Sequence, residues 1–480
     1  MVATQDRDSK ATQDRGPSAV EWLRRLKAGE ISAVELVQAT ADRIERVNQK
    51  LNAVVAKNLD QCLAEARAAD ERRQRREHLP LLGLPITVKD SIDVVGYPCT
   101  GGSFARENFW PEKDSTVAAR LRAAGAIILA KTNVAEYSSS YETDNAIFGR
   151  TNHPLDSART PGGSSGGEAA LLGADASIVG IGLDGGGSIR VPSHYCGIFG
   201  TRTTVGRVPD TGSWPETRDT GYRDLMCIGP MARYVEDLAL LLPIISGPDW
   251  IDPYAVPAPL GHISDVDLST VRIGFYVYDG VARVSPETSE AVGRAAKAIA
   301  DTGAGVEEIK PPDVQEATEI FFSMAGADGG ARTWRDLEGA NGRHHEQFKT
   351  LLDSFGESMS LPDFFDLQSR FFALRGRLRS FLDRWDAIIC PVTTGPAPLH
   401  MEAPWGIPRD EYFSYQAFNY AHAFSVGGLP VAVAPAGKQD GLPLGVQIAV
   451  RPYEEHVALA IAAQLERALG GFQAPQVEAD

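Results

Sequence analysis

Two glycine-serine clusters and one lysine are the residues of this chain best suited to chemistry. The clusters are residues 162–167 (GGSSGG) and 185–188 (GGGS), and Lys89 ends the apolar stretch 84–88. A serine hydroxyl on glycine-rich backbone can serve as a nucleophile or as a proton relay, and the unobstructed backbone N–H groups can stabilise an oxyanion. A lysine buried at the end of a strand can act as the base. The sequence therefore predicts acyl transfer through a serine.

The elements around the clusters predict an α/β fold. Residues 84–88 and 176–182 have the composition of buried strands, and residues 168–172 form a short helical pattern directly after the first cluster. Such alternation is typical of a large mixed, mostly parallel twisted β-sheet covered by helices on both faces. Because side chains alternate along a strand, we expect Lys89 to face the serines and Asp90 to point to the opposite face.

The domain organisation is predicted from composition along the chain. Residues 1–17 are polar, contain a repeated ATQDR and lack the apolar core of a signal peptide, so we expect a disordered leader. No linker divides residues 18–480, which we treat as one domain with a helical, aromatic-rich insertion at about 315–385. The aromatic residues of this insertion are at helical spacing and by default belong to the core, with pocket lining as the alternative.

Composition excludes several classes of partner. The 480-residue chain is 43% apolar and carries a formal net charge of −16, which disfavours binding to nucleic acid. Its five cysteines are scattered, which argues against a disulfide framework or a zinc site and favours a reducing, cytoplasmic compartment. The sequence has no apolar run long enough to predict a membrane span. We expect no metal and no cofactor.

Five segments resemble the motifs of the amidase signature family. They are residues 83–90 (GLPITVKD), 160–167 (TPGGSSGG), 184–190 (DGGGSIR), 196–200 (CGIFG) and 441–447 (GLPLGVQ). The resemblance extends over roughly residues 20 to 465. It is specific because both glycine-serine strings occur together at the spacing typical of the family. The family's fold is the large α/β sheet predicted above.

The resemblance implies a catalytic triad in which Ser188 is the nucleophile, Ser164 the bridging serine and Lys89 the general base. A serine hydroxyl is protonated at neutral pH, and the motifs contain no His-Asp pair, so the proton must move through Ser164 to a neutral amine. Lys89 therefore needs a lowered pKa, which desolvation and the absence of a tight carboxylate partner would produce.

The resemblance also implies how the oxyanion loop is built. The oxyanion hole is expected from the backbone N–H groups of Gly185, Gly186, Gly187 and Ser188. A cis peptide is implied between Gly163 and Ser164, with Ser165 supporting Ser164. We expect Asp184 and Arg190 to brace the loop as an ion pair. Leu183 stands where the family commonly has threonine, so a hydroxyl that could brace the loop is missing.

Three other interpretations of the glycine-rich strings remain open. Residues 163–167 satisfy the G-x-S-x-G nucleophile elbow of a serine esterase, with Ser165 as nucleophile and a downstream histidine as base. The candidate histidines are His400, His422 and His456. Residues 180–185 match the dinucleotide-binding G-x-G-x-x-G, although Pro192 disfavours the helix that it requires. The third interpretation is a relative that lost activity and became a binding module.

Several residues compete for roles at the site. Lys131 follows a strand as Lys89 does and is a rival base, but a structural role is favoured. His344 and His345 could bind a metal, but no third ligand stands at suitable spacing, so a solvated helix face is predicted. The candidates for the substrate pocket are Tyr137, Ser138, Ser139, Tyr141 and Trp214.

The resemblance implies an amide-bond hydrolase acting through an acyl-enzyme on a small molecule. Residues 197–248 look more like fatty acid amide hydrolase relatives and broad bacterial amidases than like the tRNA-dependent amidotransferase subunit, which favours hydrophobic acyl or aryl amides. Aryl carbamates present a similar carbonyl and leaving amine. The functional alternative is the A-type subunit of a tRNA-dependent amidotransferase. The sequence leaves open whether the chain forms a homodimer.

Overall fold

A sheet forms the centre of the protein, with eleven strands in the part of the chain that the structure describes. The computed structural model describes residues 15–217 and 221–475. The strands are β1 (Val54–Lys57), β2 (Pro85–Lys89), β3 (Ile127–Thr132), β4 (Val179–Asp184), β5 (Phe199–Arg202), β6 (Cys227–Ala232), β7 (Arg272–Phe275), β8 (Gly305–Glu308), β9 (Ala387–Pro391), β10 (Val431–Gln439) and β11 (Leu442–Val450).

The sheet is mixed, and the α/β fold class predicted from the sequence is confirmed. Its strand order is β1-β3-β2-β4-β6-β5-β10-β11-β9-β7-β8. Six of the ten strand pairings are antiparallel, so parallel pairs are fewer than the sequence indicated. One reason is the tight turn between β10 and β11, where Asp440 and Gly441 have positive φ and return the chain as a hairpin.

Within residues 15–217 and 221–475, fourteen α-helices surround the sheet. They are α1 (Ala19–Ala28), α2 (Ala33–Leu51), α3 (Leu59–Gln74), α4 (Thr116–Ala123), α5 (Gly166–Gly173), α6 (Arg190–Cys196), α7 (Val235–Ile245), α8 (Pro286–Ala300), α9 (Ala317–Ala325), α10 (Ala331–Asp336), α11 (Glu346–Asp353), α12 (Leu361–Phe381), α13 (Asn419–Gly427) and α14 (Glu455–Leu469). None that the structure describes is both long and apolar enough to cross a membrane.

Helices cover both faces of the sheet because side chains alternate along the buried strands. On β9, Ile389 joins the large core that includes α8 and α14, whereas its neighbour Ile388 joins the core formed with α9, α12 and α13. β10 divides in the same way, with Ala432 in the first core and Val431 in the second. The near-continuous apolar sequence of these strands follows from burial on both sides.

The parallel part of the sheet brings the predicted site residues to one edge. β2 lies between β3 and β4 and is parallel to both, with Val88 opposite Lys131 on one side and Ile181 on the other. The carboxyl ends of parallel strands meet at the same sheet edge. Lys89, the last residue of β2, therefore lies at the same edge as the glycine-rich loop 185–188 that follows β4.

The structure bears on two parts of the predicted domain organisation, the N-terminal leader and the helical insertion. Of the predicted leader, residues 1–14 lie outside the described residues. Residues 15–17 belong to the folded body, where the Gly16 N–H donates to Asp175 Oδ2 at 2.8 Å, so this part of the leader prediction is wrong. The insertion at about 315–385 contains helices α9 to α12, as its periodicity predicts.

Candidate active site

Lys89 lies fully buried at the end of β2. Its Nζ donates to Ser164 Oγ at 2.7 Å and to the Leu183 carbonyl at 3.3 Å. Burial lowers the pKa of Lys89 to about 7, against the opposing influence of the Asp184 carboxylate and, where it is ionised, of Glu168. A substantial fraction of this amine is therefore neutral near pH 7, and its nearest hydroxyl belongs to the first glycine-serine cluster.

Lys131 is also fully buried, but its side chain lies on the opposite face of the sheet from that of Lys89. Its Nζ is 3.3 Å from Asp90 Oδ1 and donates to the Ile92 carbonyl at 2.7 Å. Asp90 thus faces away from Lys89, as the alternation of side chains along the strand predicts. Lys131 is paired with Asp90 and contacts neither glycine-serine cluster. This arrangement agrees with the structural role that the sequence favoured for Lys131.

The first glycine-serine cluster is held in place by backbone contacts. The Gly163–Ser164 peptide is cis, the form that the resemblance implies. Thr143 Oγ1 donates to the Gly162 carbonyl at 2.9 Å and accepts from the Gly166 N–H at 2.9 Å. The Ser165 N–H donates to the Ser188 carbonyl at 3.1 Å, so the two clusters are directly joined.

Ser165 is buried at the start of α5 and is turned toward the end of β4. Its Oγ donates to the Leu183 carbonyl at 3.3 Å, the same carbonyl that accepts from Lys89. The main chain of residue 183 thus braces both side chains, although its own side chain has no hydroxyl. Within the described part of the chain, Ser165 makes no hydrogen bond to a histidine, so the geometry does not supply the base that a nucleophile elbow needs.

Asp184 and Arg190 form a buried, two-pronged ion pair beneath the second cluster. Arg190 Nη2 lies 2.9 Å from Asp184 Oδ1, and Arg190 Nε lies 3.1 Å from Asp184 Oδ2. Burial alone would raise the pKa of Asp184, but the guanidinium groups of Arg190 and Arg202 hold that pKa well below its usual range. The loop 185–188 is therefore anchored to a permanently charged pair.

The Asp184 carboxylate also occupies one of the N–H groups predicted to form the oxyanion hole. The Gly187 N–H donates to Asp184 Oδ1 at 2.8 Å, so the prediction of Gly187 as an oxyanion donor is wrong in this structure. The physical reason is a capping contact, in which Asp184 accepts from the N–H three residues further along the chain. The N–H groups of Gly185, Gly186 and Ser188 have no acceptor among the described residues. Of these three residues, Gly186 and Ser188 also line a cavity.

A cavity of about 540 Å³ opens onto Ser188 and Gly186. Four of the predicted pocket residues line it, namely Tyr137, Ser138, Ser139 and Tyr141. The fifth, Trp214, does not, and that prediction is wrong. Its indole packs edge-on behind Tyr137, with the ring centroids 5.0 Å apart, and occupies the space over Gly101, where a Cβ would lie 2.2 Å from the ring.

The aromatic residues of the insertion divide among three environments. Phe321, Phe322 and Phe364 line the cavity, so the pocket alternative holds for them. Phe371 is fully buried in the core, as the default predicted, whereas Phe372 is 52% exposed. Helical spacing identified the helices correctly but did not distinguish the cavity from the core, because both environments accept large apolar side chains.

Sequence reasoning missed other residues that shape the site. The cavity is also lined by Tyr222, Met324, Phe348, Leu351, Phe355 and Tyr415. These are common residue types with no distinctive spacing, so the sequence carried no signal for them. Glu168 was also missed. It lies fully buried in α5 and accepts hydrogen bonds from Thr87 and Thr132, and burial raises its pKa to about 8.

The two adjacent histidines have a structural role. The prediction of a solvated helix face is wrong, because His344 and His345 precede α11 and turn toward the loop that carries the pocket residues. His344 Nδ1 lies 2.8 Å from Glu136 Oε1, and His345 Nε2 lies 3.3 Å from Asp144 Oδ2. Among residues 15–217 and 221–475, no group of three histidine, cysteine or acidic side chains is placed to hold a metal ion.

Known proteins resemble this chain over nearly its whole length. Fatty-acid amide hydrolase 2-A of Danio rerio is 33% identical, over 95% of this chain and 90% of the relative. The A-type subunit of the glutamyl-tRNA(Gln) amidotransferase of Thermus thermophilus is also 33% identical, over 96% and 99%. The crystal structure of a bacterial aryl acylamidase of the amidase signature enzymes is 27% identical with a TM-score of 0.83, over 94% and 96%. Residues 35–459 match the Amidase family, and the chain belongs to that family of amide hydrolases.

Proposed function

We propose that the protein hydrolyses hydrophobic acyl or aryl amides, with Ser188 as nucleophile, Ser164 as proton relay and Lys89 as general base. One observation carries the proposal. A fully buried lysine of lowered pKa lies 2.7 Å from a serine hydroxyl and has no carboxylate within ion-pair distance among the described residues. A neutral amine in that position has a free electron pair with which to accept a proton.

Acylation begins when Ser188 attacks the substrate carbonyl. The Ser188 Oγ–carbon bond forms while the Ser188 proton passes to Ser164 Oγ and the Ser164 proton passes to Lys89 Nζ. The contact that joins the Ser165 N–H to the Ser188 carbonyl supports this relay, because it holds the two serine clusters side by side. No further group is needed to activate the carbonyl, which is already electrophilic.

Negative charge then develops on the carbonyl oxygen. The N–H groups of Gly185, Gly186 and Ser188 are the donors available to stabilise it, and each such donor is typically worth about 10²–10³ in rate. The Asp184–Arg190 pair holds these donors in place before the substrate arrives, so little reorganisation is needed during the reaction.

Collapse of the tetrahedral intermediate breaks the carbon–nitrogen bond. The proton held by Lys89 passes to Ser164 Oγ as the Ser164 proton moves to the leaving nitrogen, which departs as an amine and leaves an ester on Ser188. Water attacks this ester with the same relay acting as base, and hydrolysis releases the acid and restores the Ser188 hydroxyl.

The cavity supports a hydrophobic substrate. Its volume of about 540 Å³ is within the range of sites for drug-sized molecules, and its walls include Phe321, Phe322, Phe348, Phe355 and Phe364. The names of two relatives point to fatty-acid amides and to aryl acyl amides. Aryl carbamates remain within the proposal, since they present the same type of carbonyl and the same leaving amine.

The alternative of an amidotransferase component rests on the relative of Thermus thermophilus, which is as similar in identity as the fatty-acid amide hydrolase. The aromatic cavity favours the hydrolase, because a glutamine side chain is small and polar and would leave most of these walls uncovered. Hydrolysis of glutamine but not of anilides by the isolated chain would reverse this preference.

The compartment belongs to the same proposal. All five cysteines are buried and free, which supports a reducing compartment such as the cytoplasm.

The test is incubation with a panel of anilides, fatty amides and aryl carbamates, followed by mass spectrometry of the digested protein. We expect an acyl adduct on the peptide that carries Ser188, and no adduct or turnover in Ser188→Ala. Ser165→Ala is the matched control, because it removes the neighbouring buried hydroxyl without touching the relay. An adduct on Ser165 would contradict the assignment.

A further inference from the structure

His422 is buried in α13 beside the glycine-rich loop, and both of its ring nitrogens have partners. Nε2 lies 2.6 Å from the Tyr141 hydroxyl, and Nδ1 lies 2.9 Å from Thr318 Oγ1. The ring also stacks on Phe321, with centroids 4.4 Å apart. The triad mechanism makes no use of this histidine, although its Cδ2 would lie only 3.1 Å from a Cβ placed on Gly186.

The hydrogen bond between Tyr141 and Gly186 assigns the proton on the His422 ring. The single Tyr141 hydroxyl proton is donated to the Gly186 carbonyl at 2.7 Å. The tyrosine oxygen can then only accept from His422, so Nε2 carries the hydrogen. Burial and the nearby Arg190 lower the pKa of His422 to about 3, so the ring is neutral near pH 7. Its Nδ1 then carries no hydrogen and faces the Thr318 hydroxyl, whose single proton is shared between this Nδ1 and Asn419 Oδ1, each 2.9 Å from Thr318 Oγ1.

Thr318, the partner of His422 Nδ1, is itself held by hydrogen bonds to buried residues. The Asn419 side-chain oxygen accepts from the Thr318 N–H at 3.1 Å, and the Asn419 amide nitrogen donates to Asp279 Oδ2 at 2.9 Å. Asn419 and Asp279 are both buried. The histidine is therefore held by a hydrogen-bonded series that begins in the protein core and ends at the oxyanion loop.

The Gly186–Gly187 peptide is gripped at both ends. Its carbonyl accepts from Tyr141, and its N–H donates to Asp184. Fixing both ends of a peptide fixes its plane, and the planes of the neighbouring peptides, which carry the Gly186 and Ser188 N–H groups, are restricted in turn. Asp184 was identified from the sequence motif, but the hydrogen bond to the Gly186 carbonyl depends on Tyr141 and its partner His422.

We propose that His422 is a positioning residue, which holds the Tyr141 hydroxyl against the Gly186 carbonyl and thereby fixes the oxyanion loop. For its effect on turnover this inference rests on the proposed hydrolysis. His422 is not the base of a serine–histidine pair, because both ring nitrogens are engaged and neither partner is a serine of the two clusters.

The test compares His422→Leu, Tyr141→Phe, their double variant and His422→Gln, with His456→Leu as the control histidine outside the site. We expect both single variants to lower kcat for anilides about 10- to 100-fold while KM changes less than about threefold, since misplaced groups of this kind cost up to about 100-fold. The double variant should be no slower than the slower single variant, because both break one chain. Gln can donate from a similar position and should restore part of kcat.

A second measurement does not depend on turnover. Hydrogen exchange of the segment 184–189 should be faster in His422→Leu and Tyr141→Phe than in the wild-type protein, and slower in His422→Gln than in His422→Leu. Unchanged exchange in both of the first two variants would overturn the inference, as would wild-type kcat in His422→Leu. If the wild-type protein cleaves no amide, the proposed function fails, and the exchange measurement alone decides the role of His422.

Discussion

Lys89 and Lys131 lie at the carboxyl ends of two neighbouring parallel strands, are equally buried, and have opposite surroundings. Lys131 is paired with Asp90, whereas the closest polar partner of Lys89 is the Ser164 hydroxyl. A buried amine without a carboxylate partner is destabilised in its charged form, and a paired amine is not destabilised to the same extent. If Lys89 is the base, as we propose, then burial alone does not give a lysine that role, and the identity of its partner decides.

The largest expected effect separates the two lysines by activity. Lys89→Met should lower kcat by about 10⁴-fold or more, because removal of one member of a catalytic triad costs nearly as much as removal of all. The variant should fold, since methionine fills a similar volume and brings no charge into the buried site. Steady-state kinetics on an anilide, with Ser188→Ala as the reference for full loss, measures the effect. Turnover within tenfold of wild type would show that another group is the base.

The next largest effect concerns the contribution of Lys131 to the stability of the fold. Lys131→Met should lower the free energy of unfolding by about 3–5 kcal/mol, because it leaves the Asp90 carboxylate buried and unpaired. Asp90→Asn combined with Lys131→Met should restore part of that loss. Denaturant unfolding checks both variants, and the folded Lys131→Met protein should keep kcat within about threefold of wild type. A loss of activity comparable to that of Lys89→Met, in a folded protein, would make Lys131 part of the machinery.

The smallest effect concerns the carboxyl group that shares the core around Lys89. Glu168 is already largely protonated at pH 7, because burial raises its pKa to about 8. Glu168→Gln should therefore change kcat/KM at pH 7 by less than about threefold, since it removes little charge at that pH. A much larger loss at pH 7 in a folded variant would show that the Glu168 carboxylate is charged and acts on Lys89.

The candidate site was predictable from sequence where the residue types are rare and their spacing fixed. The strings at 162–167 and 185–188 led to Ser164, Ser188 and Lys89, because few structures other than a tight loop tolerate so many glycines beside serines. The mixed sheet followed from the alternation of apolar strands with helices.

The remainder depends on contacts between residues far apart in the chain. Nothing at Tyr141 indicated that its hydroxyl would meet His422, 281 residues away, and nothing distinguished Phe322 of the cavity from Phe371 of the core. The Gly187 error has the same origin at shorter range, because whether a loop N–H is free depends on where the Asp184 carboxylate turns.

The pH dependence of kcat/KM tests the neutral Lys89 most directly. Because an ammonium cannot accept a proton, activity should fall tenfold per pH unit below a midpoint at about 7 and reach a plateau above it. Lys131→Met should keep this midpoint. A rate that stays constant from about pH 5.5 to about pH 8, where the fraction of neutral amine would change strongly, would contradict the account.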